Sequence, residues 1–238
     1  MIGIIDMHCH ILPEVDDGAR TIAKSKEMLE VAYAKGIRAI IATPHYHKGC
    51  FMCSSMKINE KYQEVKELAK RIGTGIEIFL GRECFADSEL LSKINDERCL
   101  TMAASKYILV EFFEDEQPVY IRERILELIC NGYMPIIAHV ERYDKVKEKH
   151  IEEWVALGAK MQVNAGSMLG DNGFKIKKFC KMMMQKDYLS FVGTDAHSQK
   201  RLARMQACAN YIDKKMGREY AHKILIANPE SIIMDVTK

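Results

Sequence analysis

Short apolar runs alternate with longer amphipathic segments along the chain. The apolar runs predict strands at 2–6, 37–43, 76–80, 107–112, 134–138, 160–164 and 189–193. Charged segments with apolar residues at helical spacing predict helices at 20–35, 57–72, 87–95, 118–131, 146–157, 174–186, 199–216 and 219–226. Asp87 or Ser88 is the expected N-cap of the third helix. The pattern therefore consists of seven strand-plus-helix units.

This alternation predicts a parallel α/β architecture. Continuous apolar strands are typical of parallel sheets that are buried on both faces, and short connections between strands and helices agree with that arrangement. An open, doubly wound sheet is the alternative to a barrel. The chain contains neither a dinucleotide-binding glycine fingerprint nor a G-x-x-x-x-G-K-[ST] loop.

Histidines and carboxylates follow most of these strands at the same end. These residues are His8, His10, His45, Glu83, Glu111, His139, Asp195 and His197. Their nitrogen and oxygen atoms are the usual ligands of divalent metals. An open sheet gathers its chemistry at one switch point, whereas a barrel brings the carboxyl ends of all strands around one mouth. The placement after six of the seven strands therefore favours an α/β barrel with a metal site at its mouth.

Each candidate alone has an ordinary structural explanation. An H-x-H pair can grip one metal, but two histidines also occur together in turns. Asp16 and Asp17 could form a turn before the first helix. Glu83 and Glu111 are harder to explain in that way, because each ends an apolar strand where an unpaired buried carboxylate is costly. The joint pattern favours metal ligation, since independent surface residues have no reason to fall at the same end of successive strands.

With Asp17, the candidates number nine, which is too many for one ion. Two or three divalent ions are expected, and mixed nitrogen and oxygen ligands suit manganese, iron or zinc. Cys9 lies between His8 and His10 and is expected to point to the opposite face, where it packs. His47 stays open as a ligand, a substrate contact or neither.

Arg142 is the candidate for binding phosphate. It lies three residues after His139, and its planar fork can donate two parallel hydrogen bonds to an anion. An ordinary salt bridge to Glu141 or Asp144 is the alternative. Weaker candidates for anion binding are Arg201, Arg204 and Lys48.

Composition and charge narrow the classes of function. The chain has 238 residues, of which 48% are apolar, a length at which α/β barrels form one domain. Its 35 basic and 33 acidic side chains give a net charge of +2, which offers no electrostatic support for a nucleic-acid partner. We expect no membrane span and no signal peptide, because polar residues interrupt the first segment. A cytoplasmic protein with reduced thiols is therefore expected, and the lone C-x-x-C at Cys50 and Cys53 is interpreted as two loop thiols.

The motifs as a series resemble those of the polymerase-and-histidinol-phosphatase (PHP) superfamily. They are, in chain order, IIDMHCH, ATPH, GRE, VEF, AHVER and GTDAH, spanning residues 6–197. The segments ILPEVDDGA and AHVERYD are most similar to one branch, the bacterial manganese-dependent protein-tyrosine phosphatases of capsule and exopolysaccharide operons. The resemblance implies a single domain over 1–238 with a distorted (β/α)7 barrel.

The resemblance also implies a trinuclear metal centre. The implied ligands of the first ion are His8, His10, Glu83 and Asp195. Those of the second ion are Glu83, Glu111 and His139. Those of the third ion are Asp17, His45 and His197. Arg142 matches the phosphate-binding arginine, and we expect His45 and Asp195 to act with it in catalysis.

The implied reaction is hydrolysis of tyrosine phosphate with manganese as the expected metal. The expected substrate is the tyrosine-rich tail of a membrane-associated bacterial autokinase, while the oligomeric state stays open. A cysteine-based mechanism needs an arginine six positions after the thiolate, and none of the eight cysteines has one. The alternatives are a histidinol-phosphate phosphatase, a PHP-type nuclease or phosphodiesterase, and a non-enzymatic binding module.

Overall fold

The strands of this computed structural model, which describes residues 3–235, fall where the apolar runs predicted them. They are β1 (Ile4–Cys9), β2 (Ile37–Ala42), β3 (His45–Tyr46), β4 (Glu77–Leu80), β5 (Glu83–Phe85), β6 (Tyr107–Glu111), β7 (Met134–Ile137), β8 (Lys160–Asn164) and β9 (Leu189–Gly193). All seven predicted strands are confirmed, although β1 continues past the predicted end at residue 6 to Cys9, so that His8 lies within it. The predicted start at residue 2 lies outside the described residues. The short strands β3 and β5, which were not predicted, follow β2 and β4 after two-residue interruptions.

The strands pair in parallel in two ladders, β1-β2-β4 and β3-β5-β6-β7-β8-β9. The ladders are continuous with each other, because Gly81 N donates to Ala42 O at 2.8 Å between them. The last strand returns to the first: Asp195 N donates to His8 O at 2.8 Å, and His10 N donates to Ala196 O at 3.0 Å. Among the described strands, β6 pairs with β5 and not with β4. When β3 is counted as the continuation of β2, and β5 as that of β4, seven strands form a distorted parallel barrel, as predicted.

Helices cover the outside of the strands. They are α1 (Ile22–Ala34), α2 (Ser55–Arg71), α3 (Leu90–Asn95), α4 (Pro118–Cys130), α5 (Glu148–Leu157), α6 (Ala165–Leu169), α7 (Phe174–Gln185), α8 (Gln199–Leu202), α9 (Arg204–Met216), α10 (Arg218–His222) and α11 (Asn228–Met234). Within residues 3–235, no helix combines the length and apolar character that crossing a bilayer requires.

Three of the helix predictions need correction. The predicted helix 199–216 is interrupted at Ala203, and the last helical region continues through a π-helical turn, Lys223–Ala227, to residue 234. The N-cap of α3 is Glu89, because the Asp87 carboxylate instead accepts a hydrogen bond from Glu89 N at 2.9 Å within the preceding turn. The short helix α6 was not predicted.

Two apolar clusters fill the fold. The larger cluster lies between the strands and the helices and includes the fully buried Trp154. The smaller one joins side chains from five strands: Met7, Ile41, Leu109, Ile136 and Phe191. Side chains from so many strands can meet only inside the barrel, so this cluster forms an apolar interior, and polar residues are gathered at the carboxyl ends of the strands.

Candidate metal centre

The nine predicted ligands converge at the carboxyl ends of the strands. Donor atoms from eight of the nine form three groups, within each of which all atoms lie within 4.8 Å of one another. The groups are His8, His10, Glu83 and Asp195; His45, Glu83 and Glu111; and His10, Asp17, His45 and His197. His139 contacts the second group. The structure thus brings together residues that are up to 189 positions apart (8 to 197) in the sequence.

The first group is buried, and its imidazole nitrogens and carboxylate oxygens lie close together. His8 Nε2 and His10 Nε2 lie 2.9 Å and 3.1 Å from the same oxygen, Glu83 Oε2. The two Nε2 atoms are 3.2 Å from each other, and Asp195 Oδ1 lies 3.5 Å from His10 Nε2. All four side chains are almost entirely excluded from solvent.

Hydrogen bonds behind these histidines fix which nitrogen faces the centre. His8 Nδ1 donates to Gln162 Oε1 at 3.1 Å, and His10 Nδ1 donates to Asp16 Oδ2 at 2.8 Å. Because both partners accept, each Nδ1 carries the hydrogen of the neutral ring and each Nε2 directs a lone pair inward. Two lone pairs and two carboxylates pointing at one another repel unless a cation lies among them. The donor set therefore fits a divalent metal.

The second group places His45 beside two carboxylates. His45 Nδ1 lies 3.1 Å from Glu83 Oε2 and 3.0 Å from Glu111 Oε1, yet this buried nitrogen has no hydrogen-bond partner among the described residues. His139 Nε2 lies 2.8 Å from Glu83 Oε1 but 3.9 Å from Glu111 Oε2. The resemblance assigned His139 rather than His45 to this group, whereas the structure places His45 among its members and His139 at its edge.

The third group is the most open to solvent. His197 Nε2 and His45 Nε2 lie 3.3 Å and 3.7 Å from Asp17 Oδ1. The His10 and His197 rings stack with centroids 4.0 Å apart. His10 therefore belongs to this group as well as the first, and His45 lies between the second and the third. Shared ligands make the three groups one continuous centre.

The charges of the centre depend strongly on one another. Burial alone would raise the pKa of Glu83, but the adjacent His8 and His45 rings hold that pKa well below its usual range. Burial alone would lower the pKa of His139, but its hydrogen bond to Glu83 raises that pKa to about 9. The pKa of Asp195 is lowered by its hydrogen bond to His10, against the effect of burial. Without metal, protons on the imidazoles supply the positive charge that the carboxylates require.

The backbone is adapted to this convergence. His139 and Asp195 follow β7 and β9 with left-handed φ values of 32° and 50°, a conformation that costs energy for residues other than glycine and is found at functional sites. Gly193 allows β9 to approach β1, because a Cβ atom at that position would lie 2.6 Å from His8 Cβ. Any side chain there would displace His8.

Arginines line one side of the mouth. Arg142 Nε donates to Glu114 Oε1 at 2.9 Å, so neither Glu141 nor Asp144, the partners considered from the sequence, is the one observed. Arg142 Nη1 and Arg201 Nη1 lie 3.7 Å and 2.8 Å from Asp195 Oδ2. A cavity of about 370 Å³ beside Asp195 is lined by residues that include Arg142, Asn164, Thr194, Lys200, Arg201 and Arg204. This basic cavity can accept an anion next to the metal ligands.

Sequence reasoning missed several residues that support the ligands. Asp16 was interpreted as a turn residue, but it orients His10 and also accepts from His45 N at 3.0 Å. Gln162 gave no signal, because a glutamine within an apolar strand has many ordinary roles. Asp6 accepts from Thr194 N at 2.9 Å and so connects the first and last strands. Its position in the first apolar run was the only hint.

The remaining candidates lie outside the three groups. Cys9 is fully buried in the larger apolar cluster, as predicted, and Cys50 and Cys53 are free thiols. Lys48 pairs with Glu89 at 2.9 Å. The His47 ring stacks on the Phe85 ring, with centroids 4.0 Å apart.

Comparison with known proteins agrees with this geometry. Residues 4–234 match the profile of the family described as capsular polysaccharide synthesis, CpsB/CapC. A tyrosine-protein phosphatase CpsB from Streptococcus pneumoniae is 32% identical over 98% of this chain and 99% of its own length. Tyrosine-protein phosphatase YwqE from Bacillus subtilis is 32% identical over 98% of this chain and 93% of its own.

A solved structure extends the comparison to three dimensions. It comes from a study of YwqE from Bacillus subtilis and CpsB from Streptococcus pneumoniae, described there as unique metal-dependent tyrosine phosphatases. The superposition has a TM-score of 0.91 at 32% identity and covers 98% of this chain and 95% of that one. The fold and nearly the whole length are therefore shared with these relatives.

Proposed function

Because this chain belongs to the CpsB/CapC family of capsular polysaccharide synthesis, we propose that it is a metal-dependent protein-tyrosine phosphatase. The observation that carries the proposal is the sharing of His10, His45 and Glu83 among three ligand groups at the barrel mouth. Relatives of nearly equal length that are named tyrosine-protein phosphatases support it.

The nine predicted ligands would hold two or three divalent ions. We propose manganese first, with iron and zinc as alternatives, because all three accept mixed imidazole and carboxylate ligands. When bound, such ions supply Lewis acidity, which activates water for attack on phosphorus and offsets the charge of the phosphate oxygens. Glu83 would help to hold ions of both the first and the second group, since its Oε2 lies 2.9 Å from His8 Nε2 and 3.1 Å from His45 Nδ1.

The protein's own side chains would position the phosphate. We assign Arg142 to a phosphate oxygen, because its guanidinium reaches the mouth beside Asp195 and is one-third exposed. Asp195 orients Arg201, because its Oδ2 lies 2.8 Å from Arg201 Nη1. Its other oxygen, Oδ1, faces the first ligand group. His45, between two ligand groups, completes the catalytic set. A tyrosine leaving group has a pKa of about 10, so it needs less protonation than an alkoxide.

Thiol chemistry has no support in the geometry. Burial raises the pKa of the Cys9 and Cys84 thiols, which are adjacent in sequence to predicted ligands, well above their usual values. No cysteine of the chain has an arginine six positions later. We therefore expect alkylation of exposed thiols to spare activity and chelation to abolish it.

We further propose the biological setting. The substrate would be the phosphorylated tyrosine-rich tail of a membrane-associated bacterial autokinase in capsule or exopolysaccharide regulation. The protein would act in the cytoplasm, with residues 1–238 as a single domain. The family description supports the role in capsule synthesis, and the names of the relatives support a phosphotyrosine substrate.

The deciding experiment pairs elemental analysis of the purified protein with substrate turnover. Manganese-loaded protein is assayed with a phosphotyrosine peptide, histidinol phosphate and single-stranded DNA, before and after exhaustive chelation. The proposal predicts preferential, metal-dependent hydrolysis of the peptide. Faster hydrolysis of histidinol phosphate or of DNA would support one of the alternatives, and full turnover without metal would refute the mechanism.

A further inference from the structure

Three neighbouring strands carry an aromatic ring two residues beyond a predicted ligand. The pairs, ligand first, are His45 and His47, Glu83 and Phe85, and Glu111 and Phe113. Side chains two positions apart in extended chain lie on the same face, about 6.6 Å apart along the strand. Each ring therefore lies one step further out of the barrel mouth than the ligand that precedes it.

The three rings pack against one another. His47 and Phe85 stack with centroids 4.0 Å apart and an interplanar angle of 1°. Phe113 meets Phe85 edge to face at 4.6 Å and meets His47 at 5.9 Å. Despite these contacts, Phe113 remains 54% exposed. An exposed aromatic group at the mouth of a polar site is available to a further ring.

This aromatic cluster lies beside the basic side of the mouth. The aromatic rings lie at the carboxyl ends of β3, β5 and β6, whereas Arg142 and Arg201 follow β7 and β9. The two sides meet at adjacent residues, because Glu114, the partner of Arg142, comes directly after Phe113. An anion at the metal centre would therefore have cationic groups on one side and aromatic surface on the other. An aryl phosphate matches both sides, because it carries an anionic group and an aromatic ring.

We propose that His47, Phe85 and Phe113 form an aryl platform that binds the aromatic ring of the phosphotyrosine. The inference rests on the proposed phosphatase function and adds the residues that select aryl over alkyl phosphates. Edge-to-face and stacked contacts between rings add free energy beyond that of apolar burial. An alkyl phosphate such as phosphoserine would reach the same metals without this contribution.

Binding of two small anions tests the platform without requiring turnover. Phenylphosphonate and methylphosphonate share the anionic group and differ in the ring, so the ratio of their inhibition or dissociation constants reports the aryl contact. Wild-type protein should prefer phenylphosphonate. Phe113→Leu keeps apolar bulk but removes the ring, and should reduce the preference about 3- to 10-fold. Phe113→Tyr should retain it.

Two controls separate the platform from general damage. Tyr33, 44% exposed at the carboxyl end of α1, lies at the opposite end of the barrel, so Tyr33→Ala should leave the ratio unchanged. Metal content should stay at the wild-type value in Phe113→Leu. With the phosphotyrosine peptide, Phe113→Leu should raise KM by a similar factor and change kcat little.

Three outcomes would overturn the assignment. The first is that wild-type protein shows no preference for phenylphosphonate. The second is that the ratio of the two binding constants is unchanged in both Phe113→Leu and His47→Leu. The third is that these variants bind the peptide more weakly but bind both small anions as the wild type does. The last result would place flanking peptide residues on the platform instead of the ring. Failure of the proposed function would show differently, as absence of phosphotyrosine turnover by metal-loaded wild-type protein.

Discussion

His8 and His10 direct their Nε2 atoms at each other across 3.2 Å. Each ring is held from behind by an acceptor, Gln162 for His8 and Asp16 for His10. Such an arrangement of lone pairs is stable only around positive charge, supplied by protons or by a metal ion. This relationship is the physical core of the metal-centre interpretation.

Removing a ligand at the centre should remove metal and turnover together. We expect His139→Ala and Asp195→Ala to lower kcat by more than about 100-fold, since even loss of an outer-shell partner costs 10- to 100-fold in comparable sites. Metal content by elemental analysis should fall in parallel. A variant that loses activity while keeping its full metal complement would contradict the ligand role.

Asp16 should act as a positioning residue through His10. Asp16→Ala removes the acceptor that holds His10 Nδ1, so we expect a loss of about 10- to 100-fold in manganese affinity. Asp16→Asn retains an acceptor oxygen and should recover much of the affinity. Titration of metal-free protein with Mn²⁺ measures both. Equal affinity in wild type and Asp16→Ala would show that the His10 orientation does not depend on this contact.

Arg142→Ala should weaken phosphate binding and spare the metals. Charge-assisted hydrogen bonds contribute about 1.5–3 kcal/mol, which corresponds to roughly 10- to 100-fold in the inhibition constant of inorganic phosphate. Arg142→Lys keeps the charge but not the planar fork, and should restore only part of this loss. Arg98→Ala is a suitable control, because Arg98 forms an exposed pair with Asp96. Loss of metal from Arg142→Ala would refute the assigned role.

Metal binding should release protons, with a pH dependence set by the imidazoles. The pKa of His139 is raised to about 9 in the metal-free fold, so this ring is protonated near pH 7 and must lose its proton to become a ligand. Apparent Mn²⁺ affinity should therefore rise between pH 7 and 9.

The metal-free protein should show the opposite trend in stability. A pKa raised from its unfolded value of about 6.5 contributes stability below pH 6.5, and that contribution is lost as pH rises through about 9. The Tm of chelated protein should fall between pH 7 and 9, whereas that of manganese-loaded protein should not. Parallel pH profiles of Tm in the two forms would contradict this linkage.

The strands and most ligands were predictable because each has a recognisable local sequence pattern. A buried parallel strand is a continuous apolar run, and a carboxylate such as Glu83 at its end contrasts with that run. The hydrogen bonds that orient the ligands have no such pattern. Gln162 faces His8 only because β8 and β1 curve around one interior, and Asp16 differs from Asp17 only in which way one turn folds.

The boundaries of helices depended on tertiary contacts in the same way. The break at Ala203 separates two segments with continuous helical periodicity, and no residue nearby is a strong helix breaker. On either side of it, Arg201 turns toward Asp195 while Arg204 pairs with Asp171 at 2.6 Å. Sequence alone cannot anticipate contacts to residues 6 and 33 positions away.

Anomalous diffraction from crystals of manganese-loaded protein tests the central claim most directly. A metal centre formed by the three ligand groups predicts two or three anomalous peaks at the barrel mouth, each within bonding distance of donor atoms from one ligand group, with Glu83 contacting more than one peak. Crystals soaked in chelator should lose all of them. Peaks located elsewhere on the protein, or none in crystals of active manganese-loaded enzyme, would contradict it.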